Sequence, residues 1–310
     1  MSASSSAVLV TGATGFVGAH LVRRLVEDGA NVHILCREAS NFWRLEGVLP
    51  RITRHLAPVE DAATIREVFR KVRPGSVYHL AAAAMIAGEG AAGVIPVDLA
   101  GTINVLDACV ENDVVSVVAT GDSFEYAPSG TPLSEAGCCR PENLHGIAKL
   151  GATFHAQALA RRRGLPVVVL RLFSTYGPLD NPRRLVPKMI AGALAGTPLL
   201  LSRPEIARDW VFVDDIIDLY LEAARRAGDL AGHVFNAGTG VSGSLAELVS
   251  TIVRLTGSAS GVRWGHFPAP EHDATPWVAD MTHTFAHFDW RPRVDLDQGL
   301  SRCIEAARHD

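Results

Sequence analysis

The chain has 310 residues, of which 48% are hydrophobic, and a formal net charge of -4. That length is more than one compact core usually fills, so a large domain with a smaller one is the natural expectation. The near-neutral balance contains no basic or acidic block, which argues against nucleic acid or a membrane surface as partner. The opening MSASSSAVLV carries no positive n-region and leads straight into glycines, so it reads as a first strand and not as a signal peptide. No uncharged apolar stretch reaches the roughly 18 residues of a transmembrane span. The cysteines Cys36, Cys109, Cys138, Cys139 and Cys303 are odd in number and lack CxxC spacing. They read as reduced thiols of a cytoplasmic protein, with no metal site among them.

In chain order, Val8–Val10 reads as a buried strand and Gly15–Gly29 as a helix closed by a glycine. Asn31–Cys36 is a second strand, Thr64–Val72 a helix, Val77–Leu80 a strand and Thr102–Asn112 a helix. Val114–Thr120 is a strand, Glu142–Arg163 a long helix and Val167–Leu172 a strand. Apolar, uninterrupted strands alternating with helices predict an α/β fold with a doubly wound parallel sheet. Past Leu172 proline and glycine increase and the alternation weakens. Leu185–Gly196 and Leu245–Thr256 read as helices. The stretch between Gly257 and Asp280 holds Pro268, Pro270 and Pro276 with the aromatics Trp264, Phe267 and Trp277. We therefore expect a dinucleotide-binding domain over 1–172, with 209–237 returning to it, and a smaller, mainly substrate-binding part over 173–310. The smaller part would close a cleft at the carboxyl ends of the strands, where open α/β sheets take their ligands.

The glycines of TGATGFVG sit between the first strand and the first helix. Gly12 permits a tight turn, Gly15 lets the backbone approach a pyrophosphate, and Gly18 lets helix and strand pack closely. The helix start, with Thr14, Phe16 and Val17, offers free N–H groups and a positive dipole end to phosphate. With strand, turn and helix all in place, the motif predicts a Rossmann-type site for a nicotinamide dinucleotide. An unmodified ribose calls for an acid at the end of the second strand. Here that strand ends Leu35–Cys36–Arg37. Arg37 stands where a 2′-phosphate would lie, and its planar fork suits one. NADP(H) is therefore favoured over NAD(H), although Glu38 beside it would still serve NAD.

Further motifs follow in order: HLAA at His79–Ala82, Gly101–Thr102 with Asn104 and Leu106, RLFSTYGP at Arg171–Pro178, RDWVFVDD at Arg208–Asp215, and NAGTG at Asn236–Gly240. Together with the glycine turn, the chain resembles the extended short-chain dehydrogenase/reductases, in their epimerase/dehydratase-like branch, nearly end to end. The resemblance implies that Leu80, Ala81, Ala82 and Thr120 line the cofactor and that Lys149 holds the nicotinamide ribose. It also implies a tyrosine four residues before that lysine, whose hydroxyl exchanges a proton with the substrate oxygen. The stretch here is His145–Gly–Ile–Ala–Lys149: the spacing that puts both side chains on one helix face is kept, but the tyrosine is not. The upstream hydroxyl position falls on Asp122, with Ser123 next to it, and a one-residue slip would exchange them. An ionised aspartate accepts hydrogen bonds but cannot donate to a carbonyl. His145 is either the replacement acid, since imidazole titrates near neutrality, or a filler of the tyrosine's space.

Losing a general acid removes a factor of about 10²–10⁴, which positioning of a hydride donor can outweigh. This near-complete scaffold with histidine for tyrosine is similar to an atypical ketoreductase acting on an aromatic polyketide of the angucyclinone type. The expected activity is thus NADPH-dependent reduction of a small-molecule ketone. One alternative is a nucleotide-sugar epimerase, dehydratase or 4-ketoreductase; the other is a non-catalytic NADP-binding regulatory protein. Family members use the arginine matched by Arg208 on a sugar diphosphate, but the second arginine of that clamp falls on Ala269, with Glu271 nearby. Arg208, Trp264, Phe267 and Trp277 are the candidate substrate contacts. Such proteins often pair through two sheet-flanking helices, so a homodimer is an open expectation.

Overall fold

Residues 6–83, 93–268 and 276–309 are described in the structure, a computed structural model. The first half runs β1 (Val8–Thr11), α1 (Phe16–Glu27), β2 (Val32–Cys36), β3 (Ile52–Leu56), α2 (Ala62–Val72), β4 (Ser76–His79), α3 (Thr102–Glu111), β5 (Ser116–Asp122), α4 (Leu144–Arg163) and β6 (Val167–Leu172). A π-helix, Ile95–Gly101, leads directly into α3. The second half runs β7 (Ser174–Tyr176), α5 (Leu185–Leu194), β8 (Leu199–Leu200), β9 (Ala207–Arg208), β10 (Trp210–Phe212), α6 (Val213–Arg225) and β11 (Val234–Ala237). Then come β12 (Gly243–Ser244), α7 (Leu245–Thr256), β13 (Val262–Arg263), α8 (Thr282–His287) and α9 (Leu296–His309).

Seven strands form the central sheet in the order β11-β6-β5-β4-β1-β2-β3, and β3, β2, β1, β4 and β5 pair in parallel. This is the doubly wound Rossmann order extended by one strand, and its direction of winding reverses between β1 and β4. Leu9, Val77, Val117 and Val167 from neighbouring strands pack with Ile65 and Phe69 of α2 and Leu106 and Cys109 of α3. Such strands must be apolar throughout because helices cover them. The chain divides into two compact units: residues 1–126, 138–171 and 217–235, and residues 127–137, 172–216 and 236–310. Among the described residues no helix is long and apolar enough to cross a membrane.

Several boundaries and elements differ from the sequence reading, each for a local reason. Helix α2 starts at Ala62 and not Thr64, because the Asp61 side chain caps it by accepting from the N–H groups of Ala63 and Thr64, both at 3.1 Å. Helix α1 ends at Glu27, and Gly29 takes the left-handed conformation just beyond it, at φ 79°. Strand β5 runs on to Asp122, which matters for the site below. Strand β3 was not expected: as an edge strand it is mostly solvated, and Thr53–Arg54–His55 breaks any apolar run. Helices α6 and α9 were also missed. In α9, Gly299 depresses helix propensity, yet a Cβ there would lie 2.2 Å from the Tyr176 hydroxyl, so close packing requires glycine.

Candidate active site

At the carboxyl end of β1 the chain turns sharply through Gly12, held at φ 67°. A Cβ at Gly12 would stand 2.4 Å from the Leu80 carbonyl group, and one at Gly18 only 2.2 Å from the Gly12 oxygen. Both contacts are with backbone, so neither position admits a side chain without moving the turn. Helix α1 then begins with no side-chain cap and no acid in its first turn. An uncapped helix start without an acid of its own suits a dinucleotide pyrophosphate. Gly15, Thr14, Phe16 and Val17 make this turn and the start of the helix; Leu80, Ala81 and Ala82 follow β4 beside it, and Thr120 lies on β5.

A chain of buried hydrogen bonds ties the turn to the neighbouring strands. Thr102 Oγ1 donates to the Asp98 carbonyl at 2.7 Å, so it accepts from His79 Nε2 at 2.9 Å. His79 Nδ1 is then an acceptor, served by Thr11 Oγ1 at 2.8 Å, which itself accepts from the Ala81 N–H. One tautomer satisfies every group. Burial, reinforced by Lys149, pulls His79 down to about 3 and keeps it neutral. Lys149 is itself buried and donates from Nζ to the Thr120 carbonyl at 3.0 Å, while Thr120 Oγ1 donates to the His79 carbonyl and meets the Tyr220 hydroxyl at 2.6 Å.

His145 sits in the first turn of α4, whose start is capped by the Asn143 side chain accepting from Gly146 N–H at 2.8 Å. Its ring lies between two carboxylates: Nδ1 is 2.8 Å from Asp98 Oδ2, and Nε2 is 3.4 Å from Asp122 Oδ2. Burial alone would lower its pKa, and Lys149 opposes the cation too. The hydrogen bonds to Asp122 and Asp98 overcome both and push it up to about 9. The two carboxylates thus favour the cationic form of the ring that stands in the tyrosine's place. Asp122, not Ser123, is the residue that faces it. The reason is a capping box at the end of β5: Asp122 Oδ1 accepts from Phe124 N–H, and Glu125 Oε1 accepts from Asp122 N–H. Fully buried Glu125 is anchored in turn by Arg171 at 2.8 Å and Thr153 at 2.9 Å, which fixes the register.

Two residues at the site escaped the sequence reading. Asp98 is one: it is fully buried inside the π-helix, 47 residues from His145, and also accepts from the Ala83 N–H at 2.6 Å. Arg44 is the other: from a 3₁₀ turn after β2 its Nη1 donates to the Thr14 carbonyl at 3.1 Å, and its guanidinium lies over the Trp43 ring. Arg37, the expected phosphate contact, is exposed just beyond β2, and its N–H donates to Ser40 Oγ.

The expected substrate contacts all belong to the second unit. Arg208, on β9, bridges Trp277, which is buried, whereas Trp264 and Phe267 are exposed. Next to Arg208, buried Asp209 is bound by the N–H groups of Thr239, Gly240 and Ala279 and by the Thr239 hydroxyl. That is what the NAGTG motif supplies. Ala269 and Glu271 lie outside the described residues.

The profile of the NAD dependent epimerase/dehydratase family matches residues 8–238, including the glycine turn, Lys149 and the β9–β11 region. The chain belongs to this family. It is an oxidoreductase-type enzyme on a nicotinamide-binding scaffold, as the resemblance to extended short-chain dehydrogenase/reductases implied. It is 28% identical to a UDP-glucose 4-epimerase of Mycolicibacterium smegmatis, over 97% of this chain and 98% of that one. It is 29% identical to a dTDP-glucose 4,6-dehydratase of Streptomyces griseus, over 96% and 92% of the two chains. Among solved structures, the UDP-glucose 4-epimerase of Thermus thermophilus in complex with NAD is similar with a TM-score of 0.86 and 26% identity, covering 97% of this chain and 99% of that one.

Proposed function

We propose that the protein is an NADPH-dependent ketoreductase that converts a small-molecule ketone to an alcohol. One observation carries the reading: His145, at the tyrosine position, lies between two carboxylates at 2.8 and 3.4 Å, which favour its cationic form. A tyrosine paired with lysine can serve as acid or as base. An imidazolium at neutral pH can only give a proton. Epimerisation and dehydration of a sugar begin by taking a proton from a hydroxyl, whereas reduction of a carbonyl ends by supplying one. The charge state therefore suits net reduction.

The glycine turn and the uncapped start of α1 fit a dinucleotide pyrophosphate, and Lys149 would hold the nicotinamide ribose. Bound there, the cofactor would supply hydride to a carbonyl carbon. Arg37 follows the end of β2 and Arg44 reaches the glycine turn from the 3₁₀ turn beyond it, and two guanidinium groups there suit a 2′-phosphate, hence NADPH, even with Glu38 beside Arg37. The ketone of a secondary metabolite, an aromatic polyketide of the angucyclinone type, is the substrate class we favour. A second reading has its own support. The named relatives act on nucleotide sugars, and Arg208 matches the arginine that such enzymes use on a diphosphate, so a 4-keto sugar nucleotide is the rival substrate.

The two readings separate in one assay that follows the absorbance of reduced nicotinamide with NADPH and a panel of aromatic polyketide ketones and sugar nucleotides. Stoichiometric NADPH loss with a polyketide ketone supports the proposal. Isomerisation of UDP-glucose without net cofactor loss would overturn it, and cofactor binding without any turnover would leave a regulatory protein.

A further inference from the structure

The π-helix that carries Asp98 places a buried carboxylate against His145. Seven residues, Ile95–Gly101, adopt this widened turn, and π-turns of this kind are uncommon and gather at functional sites. Two features show that the turn is built to present Asp98. The Thr102 hydroxyl donates to the Asp98 backbone carbonyl, so the backbone is satisfied without help from the side chain. The carboxylate is then divided: Oδ1 accepts from the Ala83 N–H at 2.6 Å, and Oδ2 is left for His145 Nδ1 at 2.8 Å. With no exposure to water, such a carboxylate is costly unless it is matched by a cation. The start of α4 works the other way, since a helix N-terminus disfavours a positive ring. Asp98 offsets that end charge from a different element.

We propose that Asp98 and His145 act as one acid–base unit, in which Asp98 is a positioning residue that grips the ring through Nδ1–H and keeps it cationic, so that Nε2–H is the proton given to the substrate oxygen. This rests on the ketoreductase reading and names the source of its proton. In the step, the Nε2–H bond breaks as the O–H bond of the alcohol forms, and the ring is left neutral with Nδ1–H still on Asp98. A proton from solvent then restores Nε2–H. Asp122 is placed to serve that return, being the more exposed of the two acids, with 27% of its side chain accessible and the longer contact with the ring. Among the described residues, the charged groups acting on the ring are Asp122 from the end of β5, Asp98 from the π-helix and Lys149 from the same helix as His145. His79 on β4, hydrogen-bonded to Thr102, stays neutral. A tyrosine would need no such clamp, because a phenol is already protonated at neutral pH.

The test is the titration of His145 by nitrogen-15 NMR on the full chain, histidine-labelled, with and without NADP⁺. The parent protein should show both ring nitrogens protonated at pH 7.5 and a midpoint near pH 9. Asp98→Asn keeps an acceptor for the Ala83 N–H but removes the charge, and the midpoint should fall by roughly one pH unit or more. A merely structural Asp98 would leave the midpoint where it was, and that result would overturn the proposal. If Asp98→Asn does not fold, the parent spectrum still decides, because a neutral ring at pH 7.5 contradicts the unit outright. The readout needs no substrate. A normal titration without turnover on any ketone would sink the ketoreductase reading alone.

Discussion

The glycine turn and the His145 corner lie in the same unit, at the carboxyl ends of the parallel strands β1 and β5, yet they are built by opposite means. The turn is made of backbone: Gly12, Gly15 and Gly18 function through the side chains they lack, and every atom a substituent would strike belongs to a neighbouring main chain. The His145 corner is made of side chains drawn from three elements, and its chemistry depends on charges that no single segment contains. A backbone site can only be kept or lost. A side-chain site can change its chemistry while the scaffold stays, as here, where the i to i+4 spacing and Lys149 are kept and a histidine between two carboxylates stands at the phenol's position.

That contrast predicts a graded response. The largest effect should come from Gly18→Val, which places a Cβ 2.2 Å from the Gly12 oxygen. Cofactor affinity should fall by about 100-fold or more, close to 3 kcal/mol, and the thermal shift on adding NADPH should vanish. A variant that still binds NADPH normally would mean the turn is not the pyrophosphate site. Comparable in size is His145→Gln, which keeps a donor for Asp98 but no transferable proton. We expect kcat to drop about 10²–10⁴-fold while the Kd for NADPH changes little. An unchanged kcat would show that the substrate or water supplies the proton. The smallest effect concerns the cofactor's edge. Arg44→Ala should weaken NADPH by about tenfold while sparing NADH, and Arg37→Ala should do so by a similar or smaller factor. An equal loss of both cofactors would mean that Arg44 only braces Thr14.

The same contrast explains what the sequence disclosed. The turn was legible because its signal is local: three glycines between a strand and a helix leave few other readings. The spacing of His145 and Lys149 was equally plain. Asp98 was not, because it comes from a π-turn that periodicity does not flag, and its partner is 47 residues away. Asp122 and Ser123 could not be ordered until the capping box with Glu125 fixed the end of β5. Arg44 was missed because it reaches the turn from a loop beyond β2. In the fold, buried strands such as β6 announced themselves and the solvated edge strand β3 did not. Helix α9 hid behind Gly299, whose presence follows from Tyr176 and not from the helix itself.

Proton direction at His145 is best tested by the pH dependence of kcat for NADPH oxidation with a ketone substrate, from pH 6 to pH 10.5. A cationic donor predicts a rate that is level through neutrality and falls about tenfold per pH unit once pH passes the ring's value of about 9. A rate that climbs through the same range would make His145 a base and return the protein to the chemistry of its sugar-modifying relatives.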